Sequence, residues 1–154
     1  MPKQDHAGVR IPPPLCFFAF LVAGILLNSD WTEGRLANAY LTIIGGLIAI
    51  ISLIYLIISA LKHKAAGSNV EPWKPTTTII TDGVYKYSRN PIYVAMAVVY
   101  AGVAIAAGSW LALLFLPLCL LFIRYYVIAR EEAYLEEKFG KEYLDYKARV
   151  RRWL

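Results

Sequence analysis

Three long uncharged runs divide the chain, with charged stretches between them. Residues 11–27 carry no charge over 17 positions, residues 39–61 none over 23, and residues 92–123 none over 32. The middle run is long enough for a transmembrane helix. The first, entered through Pro12, Pro13 and Pro14, lies at the short end of what spans a bilayer. The last is too long for one span. At about 1.5 Å per residue it would rise about 48 Å, against a hydrocarbon core of about 30 Å. Gly108 and Ser109 offer a break, so it reads as two short spans joined by a tight turn.

The expected architecture is therefore all-α and integral to the membrane. It has about four transmembrane helices, near 12–28, 39–61, 91–107 and 110–129. A polar helical segment near 130–152 follows, interrupted at Gly140, a natural C-terminal cap, and ending in a basic helix with Trp153 at the membrane surface. Gly45 and Gly46 would permit close helix packing. The loop 28–38 is polar and carries an interfacial Trp31. Residues 62–90 form the longest polar stretch. Pro72 and Pro75 argue against helix there, and "TTTIIT" favours extended backbone. So long an irregular segment in a small protein is usually functional or disordered.

Composition agrees with a single membrane domain over residues 1–154, since 58% of residues are hydrophobic and 18% charged. The net charge of +5 comes from cations clustered near the N-terminus, across 62–89 and in the last 30 residues. Such clusters suit an anionic membrane face better than nucleic acid. Cys16 and Cys119 lie in apolar runs with no ligand spacing, so no metal is expected. His6 and His63 read as solvated surface residues. The N-terminus loosely resembles a signal peptide, but no small-x-small site follows Leu27, and the segment reads as a retained first span. Placing the cation-rich segments inside puts both termini, 62–90 and 130–154 on the cytoplasmic face.

Candidate chemistry gathers at that face. In "YKYSRNPIY", Asn90 is a favoured helix cap and Pro91 a favoured first helical residue. The positive end of the third span then lies beside Arg89, which makes a site for a carboxylate or phosphate. Tyr85, Tyr87 and Tyr93 offer flat surfaces for a ring, and Gly83 a tight turn. The plainer reading is a cap whose arginine and tyrosines meet lipid headgroups. A second group is Arg124, Glu131 and Glu132. Spacings of seven and eight place them on one face of an ideal α-helix. An arginine inside an apolar span is a functional candidate, and the glutamates suit ribose hydroxyls or an ammonium group. Alone, that pair also reads as an ordinary acidic helix start.

"TDGVYKYSRNPIY" followed by "REEAYLEEKFGKEYLDYKARVRRWL" resembles the isoprenylcysteine carboxyl methyltransferase family of integral membrane enzymes, with phospholipid N-methyltransferases as wider relatives. The shared pattern falls on Gly83, Tyr85, Arg89, Asn90, Pro91, Tyr93, Glu131, Glu132, Phe139, Gly140, Tyr143 and Tyr146. The resemblance covers residue 76 to the C-terminus. It implies S-adenosylmethionine as cofactor and a hydrophobic or prenylated acceptor. Arg89 and the backbone at 90–92 would face the methionine carboxylate, Glu131 or Glu132 the ribose or amino group, and Tyr85, Tyr93 and residues 78–83 the adenosine. Arg124 or Arg130 would orient an anionic acceptor. Many relatives carry histidine where this chain has Asn90, which is grouped with those arginines as a candidate catalytic residue. Val84 stands where proline is common. Two other readings are a membrane reductase of the sterol reductase type, whose C-terminal part looks similar, and a non-catalytic interaction module. The chain has no GxGxxG and is short for the reductase.

Overall fold

The computed structural model describes residues 5–28, 39–65, 67, 69 and 71–154. Lys3 and the polar loop with Trp31 and Arg35 lie outside the described residues. Every regular element among the described residues is helical.

Helix α1 (Pro13–Leu27) opens on prolines, where missing N–H groups cost nothing because the first turn has no partner for them. Helix α2 runs from Ala39 to Ala65. Helix α3 (Pro91–Ala106) and helix α4 (Trp110–Phe122) are separated by a turn in which Gly108 takes a φ of 63°, a region that disfavours a side chain. The Ser109 hydroxyl accepts from the Ala112 N–H at 3.2 Å and donates to the Gly24 carbonyl at 3.1 Å. It thus caps α4 and ties the turn to α1. Helix α4 runs on through a π-helical segment, Ile123–Ile128, into α5 (Ala129–Phe139). Gly140 ends α5, and α6 (Lys141–Arg149) follows.

Among the described residues, two helices are long and apolar enough to cross a membrane: α2, and the 30-residue helix Trp110–Phe139 formed by α4, the π segment and α5. The apolar part of the second ends near Ala129, and residues 130–154 are polar. Helices α1 and α3, with 15 and 16 residues, rise about 22–24 Å, short of a core of about 30 Å.

Helix α2 packs along α3, α1 along α4, and α3 against both α1 and α4. Phe17, Tyr100, Ala104, Ala112, Cys119 and Ile123 are buried where they meet. The Tyr100 hydroxyl donates to the Ala112 carbonyl at 2.8 Å. Helix α2 buries only Gly45 and Ser59, while Ile43, Leu47, Ile50, Ile54 and Ile57 are exposed. An apolar face of that extent suits lipid rather than water. A second cluster of Tyr85, Tyr143 and Tyr146, with Ile79, Ile80 and Leu135 around it, joins the polar segment 71–90 to α5 and α6.

The C-terminus departs from expectation. Helix α6 stops at Arg149, and Val150 is extended. The last residues double back toward the start of α3, and Trp153 packs against the core instead of lying on a membrane surface.

Candidate functional site

The polar end of the bundle holds a cleft. Its floor is the start of α3 and the first turns of α5, and segments 71–80 and 5–9 lie across it. The cleft holds about 130 Å³.

Pro91 starts α3, but Asn90 does not cap it with its side chain. Its Nδ2 instead donates to the Arg152 carbonyl at 2.9 Å, and the Arg89 N–H donates to the Arg151 carbonyl at 2.9 Å. The expected cap is therefore a tether to the C-terminal segment. The Ser88 hydroxyl accepts from the Asn90 N–H at 3.1 Å.

The structure brings Arg89, Asn90, Pro91, Tyr93, Glu131 and Glu132 into the cleft lining, with Tyr85 beside them. The side chains of Arg89 and Glu132 are each 8% exposed. Arg89 Nη2 lies 3.2 Å from Glu132 Oε1, and Nη1 makes a long contact of 3.5 Å with the Tyr143 hydroxyl. Its Nε is buried without a partner. A buried donor left unpaired is costly, and here it sits beside the N-terminus of α3. An anion at this point would meet both.

The two glutamates have different surroundings. Glu131 Oε1 accepts from the Tyr93 hydroxyl at 2.7 Å. Burial pushes its pKa up to about 7; the Tyr93 hydrogen bond opposes that shift and the Glu132 charge adds to it. Glu132 is also pushed up by burial, but Arg152's hydrogen bonds, then the charges of Arg89 and Arg152, outweigh this and hold it below the usual range. Glu131 is thus the carboxylate free to meet a ligand, and Glu132 is committed to arginines.

Arg124 and Arg130 lie outside the cleft. Arg124 is exposed, 5.4 Å over the Tyr125 ring. Arg130 donates to the Tyr126 carbonyl at 2.6 Å and lies over that ring. The reason is the π segment. Each residue there turns less about the axis, so the register slips between Arg124 and Glu131 and an ideal-helix face no longer connects them. Gly83 opens the 3-10 turn Gly83–Lys86 beneath Lys62 and does not line the cleft. Tyr87 is exposed and outside it.

Two residues missed in the sequence belong here. His63, expected at a solvated surface, lines the cleft from the end of α2, with the Tyr85 hydroxyl 3.0 Å from its Nδ1. Arg152 grips Glu132. A basic residue three positions beyond the end of α6 gives no sequence signal of that contact.

The wall behind the cleft rests on Tyr146, whose hydroxyl donates to the Tyr85 carbonyl at 2.8 Å. Tyr146→Phe leaves that carbonyl buried and unpaired. The expected loss of stability is about 1–3 kcal/mol, read as a lower midpoint of thermal unfolding in detergent, with the fold retained.

A family model described as phospholipid methyltransferase matches residues 40–142. An uncharacterized protein of Haemophilus influenzae is 43% identical over 63 residues, which is 41% of this chain and all of that protein. A protein-S-isoprenylcysteine O-methyltransferase of Schizosaccharomyces pombe is 35% identical over 72 residues, or 47% of this chain. That match spans only 30% of the yeast protein's length. No solved structure matches the chain significantly.

Proposed function

The chain belongs to the phospholipid methyltransferase family, and on that premise we propose that it transfers a methyl group from S-adenosylmethionine to a hydrophobic or lipid-like acceptor, such as a carboxylate, at the cytoplasmic membrane face. The observation that carries this reading is the buried, unpartnered Nε of Arg89 beside the first turn of α3, with the Glu131 carboxylate in the same cleft.

The residues present fit that cofactor. Arg89 and the backbone N–H groups at the start of α3 would hold its carboxylate. Glu131 would hold its ammonium group or a ribose hydroxyl. Tyr85, Tyr93, Ile79 and Ile80 would enclose the adenosine. When bound, S-adenosylmethionine supplies an electrophilic methyl on sulfur, open to in-line attack by an acceptor oxygen, nitrogen or sulfur. The chain's part is to bind, orient and exclude water. A carboxylate acceptor is already ionised at neutral pH and needs no strong base, so Asn90 in place of histidine is no obstacle to that acceptor. Arg124 and Arg130 lie outside the cleft, and acceptor orientation is not assigned to them. The reading takes residues 1–154 as one unit. It has four spans, with α1 and α3 reaching across with their flanking residues. Both termini are cytoplasmic, as the cations at 62–89 and 130–152 favour.

Purified protein in lipid nanodiscs, supplied with methyl-labelled S-adenosylmethionine, is expected to label a lipid extract or a prenylated cysteine. Base-labile label marks an ester and base-stable label an amine. A complete absence of label in both acceptors counts against the reading.

A pH effect follows from Glu131. Its pKa near 7 means the carboxyl is largely protonated at pH 6 and ionised at pH 8. A cationic group binds the ionised form, so affinity for S-adenosylmethionine should rise as pH climbs from 5.5 to 7.5, by up to about tenfold per unit below the midpoint. Calorimetry in buffers of different ionisation enthalpy should show a proton released on binding. Glu131→Gln should flatten the profile, and a profile unchanged in that variant would remove Glu131 from the role.

A further inference from the structure

Glu132 lies between two arginines that hold it unequally. Arg152 takes both oxygens, Nε donating to Oε1 at 2.9 Å and Nη2 to Oε2 at 2.7 Å. Arg89 approaches only Oε1, at 3.2 Å, and keeps an unpaired Nε. One carboxylate and two guanidinium groups leave one positive charge over. Arg89 and Glu132 line the cleft and Arg152 does not, so the fork reaches Glu132 from behind. The position of Arg152 is fixed by the backbone of the site itself. Its carbonyl accepts from Asn90 Nδ2, the Arg151 carbonyl accepts from the Arg89 N–H, and Trp153 packs against the core. The family match ends at residue 142, short of this segment.

We infer that Arg152 is a positioning residue that sets the charge of the cleft: by occupying both oxygens of Glu132 it leaves the Arg89 charge uncompensated and available to the carboxylate end of a ligand. Without it, Glu132 would turn to Arg89 as the one guanidinium beside it, and that end of the cleft would be a neutral pair. Asn90 gains a physical role as well, since it anchors the backbone that carries Arg152. The identity of the ligand rests on the reading under Proposed function; the charge arrangement does not.

The test is calorimetry on the full chain in nanodiscs with two ligands. S-adenosylmethionine carries the carboxylate, and 5′-methylthioadenosine lacks both the carboxylate and the ammonium group. Arg152→Gln is expected to weaken the first by about tenfold to a hundredfold and leave the second unchanged. Adding Glu132→Gln to Arg152→Gln removes the carboxylate that would neutralise Arg89, and most of the affinity should return. A purely structural role for Arg152 would not show that rescue. Equal loss of both ligands, no loss of either, or no recovery in the double variant overturns the inference. Should Arg152→Gln fail to fold, Arg152→Lys gives the reading, because it keeps the charge and loses the fork. A fall of less than about tenfold supports the inference, and a larger fall opposes it. If the intact protein binds neither adenosine ligand, the cofactor reading fails. Inorganic phosphate then decides the charge argument. Weak binding that Arg152→Gln abolishes supports it, and no phosphate binding to the intact protein, or binding unaffected by Arg152→Gln, overturns it.

Discussion

Arg89→Ala is expected to lower affinity for S-adenosylmethionine at least about a hundredfold, equivalent to about 2.7 kcal/mol. Three losses combine. The variant removes the guanidinium whose Nε is buried and unpaired. It removes the charge beside the first turn of α3, where the helix dipole and free N–H groups alone are worth about 0.3–1 kcal/mol. It also leaves Glu132 facing the cleft with Arg152 alone, which turns a positive site neutral. Hydrogen bonds to charged groups contribute about 1.5–3 kcal/mol each, so the size of the effect is reasonable for one residue. Arg89→Lys separates charge from geometry. An ammonium keeps the charge but not the planar fork, and about tenfold of the loss should remain. Calorimetry on the three proteins reads this directly. An alanine variant with the affinity of the parent would remove the anion site from the account.

The second large effect lies far from the chemistry. Gly102→Leu is expected to prevent α2 from seating against α3. A Cβ on Gly102 would stand 2.7 Å from both the Ala49 nitrogen and the Gly45 carbonyl oxygen, and one on Gly45 would stand 2.5 Å from the Ala106 nitrogen. These are backbone atoms, so the helices must separate; no side chain can rotate away. Overpacking of this kind typically costs about 1–3 kcal/mol, and more where backbone must move. Here the contact buries little else of α2, because only Gly45 and Ser59 are buried along its length. The expected outcome is loss of the folded protein in detergent, or an unfolding midpoint too low to leave a stable protein. Gly46→Leu is the control. Nothing lies within 4 Å of its Cβ position, and no effect is expected. His63 reaches the cleft from the far end of α2, so a partly seated α2 would also disturb the site.

The helix starts were legible where local chemistry sets them. Pro91 and the prolines at the start of α1 mark helix beginnings because a first turn tolerates their missing N–H, and the break at Gly108 follows from the excess length of residues 92–123. That Arg89 and the two glutamates meet at one end of the bundle was also readable, as motif residues on two sides of an apolar hairpin. What failed were inferences that need register or distance. Seven residues from Arg124 to Glu131 make one face only in an unbroken α-helix, and the π segment at Ile123–Ile128 shifts it. Asn90 has the right residue type for a cap, but its Oδ1 makes no cap bond and its Nδ2 donates to the Arg152 carbonyl, 62 positions away. The basic C-terminus was read as a membrane-surface helix because lysine, arginine and tryptophan fit that pattern. Its chain reversal depends on Val150 becoming extended and on Trp153 finding the core. His63 has no neighbours in sequence that mark it, and only the docking of Tyr85 gives it a place.

The most direct test of the central claim is calorimetric titration of the intact protein in nanodiscs with S-adenosylmethionine, alongside a nicotinamide dinucleotide. One molecule of S-adenosylmethionine is expected to bind per chain, with binding lost in Arg89→Ala, and the dinucleotide should give no heat. Binding of the dinucleotide with none of S-adenosylmethionine would contradict that claim.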